Sequence, residues 1–359
     1  MSERALVATR KGLFSLDRKA GGKWGLSPIG FRGDPVTMAL TDPDRKNVYA
    51  ALNLGHFGVK FHRSEDKGRT WTERVVPAYP EESDKEKAKS LVQIWSLEHD
   101  GNGGLWAGTI PGGLFHSPDG GESWRLNEPL WNLPERPGWF GGGYDDAGIH
   151  SVCVDPRDPN KVTVGVSCGG VWVSEDAGES WNVRSKGMYA EYMPDDRRED
   201  PSIQDPHRVV QSPADPSVLW AQHHNGIFRT VDYAKQWEDI SDSARPSKFG
   251  FSVAVHPTEP DTAWFAPAVK DECRIPVNGE VVVSRTRDGG KSFEVLREGL
   301  PQEQAYDLMY RHALDVDSTG NALLMGSTTG ALWISENQGD AWQLLNAHLP
   351  PVYAVRFDK

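Results

Sequence analysis

Ser117-Pro118-Asp119-Gly120-Gly121-Glu122-Ser123-Trp124 is one copy of a phrase, Ser/Thr-x-Asp-x-Gly-x-Ser/Thr-aromatic, that is written about seven times along this chain. Full copies stand at 64–71, 174–181 and 286–293, the last ending in Phe293. Worn copies run from Thr230 and Asp232 to Trp237 and from Ser335 through Asn337 and Gly339 to Trp342, and a stretched one joins Ser15, Asp17 and Trp24. Successive copies lie about 49 to 57 residues apart, in the range of a four-stranded propeller blade. The period predicts an all-β fold, a seven-bladed β-propeller of four-stranded blades, with residues 1–359 as one domain.

The chemistry of the phrase is that of a tight hairpin turn. The Asp carboxylate accepts from the backbone N–H groups that follow it, the Gly takes the left-handed conformation, and the Ser or Thr hydroxyl ties the two strands. The Trp is placed to wedge between neighbouring sheets. In this spacing the chain resembles the BNR or Asp-box repeat of sialidases, sortilin-like receptors, some xyloglucan hydrolases and the photosystem II stability/assembly factors. The resemblance implies a propeller in which the box is structural and sits opposite any active site. It does not extend to a sialidase site. Arg274-Ile275-Pro276 matches the Arg-Ile-Pro of that family but lies in the sixth blade, whereas sialidases carry it early in the chain.

Composition agrees: Gly 37, Pro 25 and Trp 14 suit many short strands, tight turns and aromatic wedges. A formal charge of −12 without a Lys/Arg stripe argues against a nucleic-acid or anionic-membrane surface. The first residues, Met-Ser-Glu-Arg, hold no apolar run, and no stretch of about 18 apolar residues occurs, so a cytoplasmic protein is expected. Cys153, Cys168 and Cys273 form neither a disulfide framework nor a zinc-type pair.

Within each repeat the order is strand, turn, strand, Gly, strand, box, strand. In the fourth blade this places strands at 150–154, 162–166, 171–173 and 181–184. Residues 5–9, 13–15 and 24–26 supply three strands with no inner one before them, and 352–357 is an inner strand with nothing after it. Together they complete one blade and close the ring as a clasp. With inner strands running away from the channel mouth, the boxes fall on the far face. The long connections 77–90, 127–148, 185–206 and 297–311, with an insertion at 267–280, then gather on the mouth face, where a scaffold carries its site. The charged run 85–89 reads as a solvated helical turn.

Counting back from the first turn of each blade, one register of the inner strands holds Tyr353, Thr37, Trp95, His150, His207, Phe251 and His312. Three histidines at one register predict a cluster at the mouth. Asp145 and Asp307 each stand in Tyr-Asp-x-x-x-x-His, Asp205 lies two residues before His207, and His223-His224 ends the strand that pairs with His207. Imidazoles converging with carboxylates suit two chemistries. One is a divalent metal (Zn, Mn or Mg) held by His150, His207, His223 and His312. The other is metal-free acid/base work by His150, His207 and His312 with Asp145, Asp307 and Glu191. Arg274, Arg311, His56, His224, Tyr192, Tyr306 and Glu272 on the same loops are candidate substrate contacts. Histidines at strand starts are also satisfied structurally by loop carbonyls, and Cys168 reads as a small buried residue with a thiol nucleophile as the alternative.

Two functions follow. The first is a hydrolase or lyase, glycosyl hydrolase-like, acting on a small polar, carbohydrate-like or carboxylated ligand at the mouth. The second is a non-enzymatic ligand-binding or assembly scaffold, similar to the photosystem II assembly factors, with its protein partner unknown.

Overall fold

The computed structural model describes residues 2–81, 88–141 and 144–358. Most of the run 85–89, read as a solvated turn, lies outside them. Among the described residues the strands form seven antiparallel sheets of four. Their inner strands, Val352–Phe357, Val36–Thr41, Gln93–His99, Ile149–Val154, Pro206–Gln211, Gly250–Val255 and Leu314–Val316, pack side by side in a closed ring. The protein is a seven-bladed β-propeller.

The clasp is as expected from the sequence. Val352–Phe357 pairs with Arg4–Thr9, which pairs with Gly12–Arg18 and then Trp24–Gly30. Inner and second strands are covered on both faces by neighbouring blades and so read as apolar runs: all of Val162–Val166 is buried. Most outer strands are short and half solvated, such as Asn182–Val183, and that of the first blade, Trp24–Gly30, is longer.

Each turn is built as its chemistry requires. In the blade of Asp119, Ser117 Oγ donates to the carboxylate (2.8 Å), the Gly121 amide donates to Ser117 Oγ (2.7 Å), and the Ser123 amide and hydroxyl donate to the two carboxylate oxygens (2.9 and 2.6 Å). Gly121 has φ +91°, a conformation that only glycine adopts without strain. In the worn fifth-blade copy Ala234 takes that position at φ +62°. The tryptophans tie blades together: Trp71 Nε1 donates to Ile29 O, Trp124 to Val75 O and Trp237 to Arg184 O, each on the preceding blade. Burial tends to raise the Asp119 pKa, but the Ser123 and Ser117 hydrogen bonds outweigh it and hold the carboxyl at about 2. Asp119→Ala is expected to lose about 1 kcal/mol in urea unfolding, because the turn amides lose an acceptor that water partly replaces. Ligand affinity at the other face should stay unchanged; a large loss of affinity would reverse the assignment of faces.

Candidate functional site

On the mouth face the inner strands break register at one level. The ladders skip Tyr353, Thr37, Trp95, His150 and His207, and in the sixth blade they skip Phe251 together with its neighbour. In the seventh blade the strand starts only at Leu314, and His312 makes an isolated bridge to Ala354. A bulge re-aims its side chain. Here the repeated bulge turns the predicted register toward the channel mouth.

Five of these seven side chains line a cavity of about 810 Å³. Its wall takes Thr37, Trp95, Phe251, His312 and Tyr353 from the register, Tyr144 and Tyr310 from the long loops, and Arg10, Arg274 and Arg311 as cations. Asp34 is the one carboxylate on that wall among the described residues. Arg311 lies between two rings, its guanidinium carbon 4.7 Å from the Trp95 centroid and 5.3 Å from that of Phe251. Among the described residues it has no ion pair, and its buried Nε has no hydrogen-bond partner. Burial lowers its pKa, while Asp205 acts on it only at longer range. Arg274 also covers Phe251 (5.2 Å) but is bound to Asp271, with Nε 3.0 Å from the carboxylate.

His150 and His207 stand behind this wall. His150 is fully buried, meets Trp95 edge to face at 5.5 Å and pairs through Nδ1 with Ser151 Oγ at 2.9 Å. His207 stacks on Phe251 with centroids 4.4 Å apart. The order across the mouth is therefore His150, Trp95, Arg311, Phe251, His207. His312 lines both this cavity and a second one of about 320 Å³ further down the channel. The second cavity holds the Glu98–Arg356 ion pair and Arg208, which donates to His150 O at 3.2 Å.

The carboxylate that organises the histidines is Asp205. Its Oδ1 accepts from the Cys168 amide at 3.1 Å, and its Oδ2 lies 3.4 Å from both His207 Nε2 and His224 Nδ1. Burial opposes ionisation of Asp205, but His207, His224 and Arg311 outweigh it and hold its pKa well below the carboxylate range. Burial lowers His224, yet the same carboxylate outweighs that and raises it. Cys168 is buried beside this carboxylate, and burial and Asp205 both push its thiol up, so it stays protonated and offers no thiolate nucleophile.

Several sequence-based expectations are corrected here. The set His150, His207, His223 and His312 does not close around one point; among the described residues the group with metal-ligand spacing is Asp205, His207 and His224. His223 is fully buried, and both ring nitrogens face backbone amides, those of Asp205 and Asn225 at 3.1 Å, so it caps a turn and has no nitrogen free for a metal. Asp145 is exposed and does not orient His150. Asp307 accepts from Ser327 Oγ (2.7 Å) and Thr329 Oγ1, which ties a loop and leaves His312 without that partner. Glu191 is exposed and faces Lys248 (3.5 Å), and Glu272 is exposed and faces Lys270 (3.5 Å). Tyr306 is 68% exposed, His56 is exposed against Phe57, and Tyr192 packs on His224; none of the three is on the cavity wall. Arg10 and Asp34 are cavity residues that the sequence reading missed. Arg10 sits in a second-to-third strand turn, the loop class that belongs to the mouth.

No family model matches the chain. Over 151 residues, 42% of this chain, it is 32% identical to the oligoxyloglucan-reducing end-specific xyloglucanase of Emericella nidulans, covering 17% of that protein. It is 21% identical to the photosystem II assembly lipoprotein Ycf48 of a Synechococcus species over 160 residues, 45% of this chain and 39% of the relative. The matches thus span well under two thirds of either relative's length. Among solved structures, the Niastella koreensis GH74 enzyme superposes with a TM-score of 0.64 over 95% of this chain and 51% of that one, at 18% identity, a likeness of fold.

Proposed function

We infer that this chain is a carbohydrate-acting enzyme whose ligand is a small sugar-like ring bearing a carboxylate, bound in the mouth cavity. The observation that carries the reading is Arg311, a half-buried guanidinium on the cavity wall, its Nε fully buried, with two aromatic rings beside it and no anion paired to it among the described residues. A planar cation in that setting suits a carboxylate, and Tyr144, Tyr310 and Tyr353 offer ring surface on which a sugar packs. Relatedness to a xyloglucanase supports the substrate class, and the turn phrase supports placement among Asp-box propellers.

Hydrolysis by paired carboxylates needs two acids roughly 5 to 9.5 Å apart, and this wall carries Asp34 alone among the described residues. Elimination asks for other groups: a cation on the carboxylate, a neutral base and an O–H acid. Arg311 is the cation. His312 is the base, since burial and then the charge of Arg208 hold its pKa well down and keep it neutral. Tyr144 and Tyr353, whose phenols burial pushes up, stay protonated as donors. The base takes the proton beside the carboxylate, its C–H electron pair forms the C=C bond as the glycosidic C–O bond breaks, and a tyrosine protonates the leaving oxygen.

The likeness to Ycf48 supports a second reading, a ligand-binding scaffold, which differs in predicting binding without turnover. Offering uronate-containing and neutral oligosaccharides separates the cases. The expected result is uronate binding by calorimetry and appearance of the conjugated alkene by ultraviolet absorbance. Uronate binding without product would favour the scaffold, reducing ends released from neutral sugars would replace elimination by hydrolysis, and binding of neither class would overturn the carbohydrate reading.

A further inference from the structure

We propose that Asp205, His207 and His224 form a binding site for a divalent transition-metal ion of the zinc type, behind the mouth cavity and independent of the carbohydrate reading. His207 Nδ1 lies 2.7 Å from Gly250 O, and a carbonyl only accepts, so Nδ1 carries the hydrogen. The other nitrogen, Nε2, then presents a lone pair in the neutral ring, and it faces an oxygen of the Asp205 carboxylate, another electron-pair donor, at 3.4 Å. Both groups are buried, His207 at 2% exposure and Asp205 at 3%. Two buried lone pairs facing each other call for a cation between them.

Distance distinguishes a metal ion from a shared proton. A charge-assisted N–H···O bond is about 2.7 to 2.9 Å long. The Asp205 oxygen is 3.4 Å from His207 Nε2 and 3.4 Å from His224 Nδ1, too long for that bond. An ion with bonds of about 2.0 to 2.1 Å to tetrahedral ligands separates them by roughly 3.3 to 3.4 Å. The third pair, the two ring nitrogens, lies within 4.8 Å, so a rotation of the partly exposed His224 ring completes the group around one ion. The surroundings fit as well. A metal-bound imidazole commonly gives its other N–H to a backbone carbonyl, as His207 does to Gly250. The Asp205 carboxylate is held by the Cys168 amide, its own amide donates to His223 Nε2, and its carbonyl accepts from the His224 amide at 2.9 Å. His223, Cys168 and Gly250 thus hold the ligands in place without binding the ion themselves. Two imidazoles and one carboxylate leave a fourth position for water or substrate, the composition of an open site. His224, with 23% of its side chain exposed, marks the side from which an ion enters.

The test uses the full chain without a histidine tag, stripped with chelator and titrated with zinc chloride in a calorimeter, with cobalt(II) as a spectroscopic probe. One equivalent of zinc should bind, and cobalt should give the intense visible bands of a tetrahedral site. His224→Ala changes a partly exposed residue and is expected to fold, checked by circular dichroism; it should weaken zinc binding about 10- to 100-fold or more. His348→Ala, an exposed histidine elsewhere, should leave it unchanged. Absence of stoichiometric zinc binding to the wild-type chain, or equal affinity in a folded His224→Ala protein, would overturn the proposal.

Discussion

Replacing Arg311 by methionine is expected to lower affinity for a carboxylated ligand by a hundredfold or more while leaving the melting temperature unchanged or raised. The two signs come from one fact. Arg311 is half-buried against Trp95 and Phe251, with its Nε fully buried, and has no ion pair among the described residues. Withdrawing a charge partly from water carries a desolvation cost, which cation–π contact of about 0.5 to 2 kcal/mol offsets. Methionine keeps much of the length and packing without the charge, so the free protein loses little or gains. The bound complex loses a buried, hydrogen-bonded charge pair, about 3 kcal/mol, which is more than a hundredfold in Kd. Arg311→Lys should fall between, because an ammonium keeps the charge but loses the flat faces and the paired donors. Calorimetric titration and thermal melting of the three proteins check this. Unchanged affinity in a folded Arg311→Met protein would remove the basis for an anionic ligand. A large drop in melting temperature would mean that the guanidinium serves the fold.

How far these features were legible in the sequence depended on how local their causes are. The turn phrase is self-contained: Ser117, Asp119, Gly121 and Ser123 bond to one another within seven residues, so its recurrence could be read directly as blade number. The bulge register was legible for a related reason. It falls at a fixed distance from a turn, and five of its seven side chains reach the cavity wall. Which carboxylate serves which histidine was not legible. The shared Tyr-Asp-x-x-x-x-His spacing pointed to Asp145 and Asp307, but that spacing crosses irregular backbone, where five residues do not determine a direction. Asp307 is instead drawn to Ser327 and Thr329 on its own blade, and His150 pairs with its neighbour Ser151. Asp205 was visible two residues before His207. Its role as the meeting point of His207, His224 and the Cys168 amide depends on a crossing between two blades, and such contacts leave no local pattern.

The clasp makes the second large prediction: a chain ending at residue 351 should lose its cooperative unfolding transition. The inner strand Val352–Phe357 buries Val352, Ala354, Val355 and Phe357. At about 1.5 to 3 kcal/mol for each large side chain, removal forfeits roughly 5 to 8 kcal/mol, comparable to the whole stability of an ordinary domain. Two further losses fall on groups left behind. Arg356 pairs with Glu98 at the channel and donates to Leu97 O at 3.1 Å, so its removal leaves a partly buried acid without its cation. Asp358 accepts from Thr41 Oγ1 at 2.6 Å, and the Phe357 amide donates to Asp315 at 2.9 Å, bonds that join the first blade to its neighbours on both sides. The truncated chain would also present Arg4–Thr9 as an open edge ready to pair with another molecule. Aggregation on purification, or a broad non-cooperative melt, is therefore the expected result. A synthetic peptide of residues 352–358 added during refolding should restore the transition, because it supplies the missing strand without the covalent link. Arg356→Met separates the contributions: it keeps the strand and removes one charge, so a smaller loss in an otherwise cooperative melt is expected. If the truncated chain melted at the wild-type temperature, ring closure through this strand would not be what holds the propeller together.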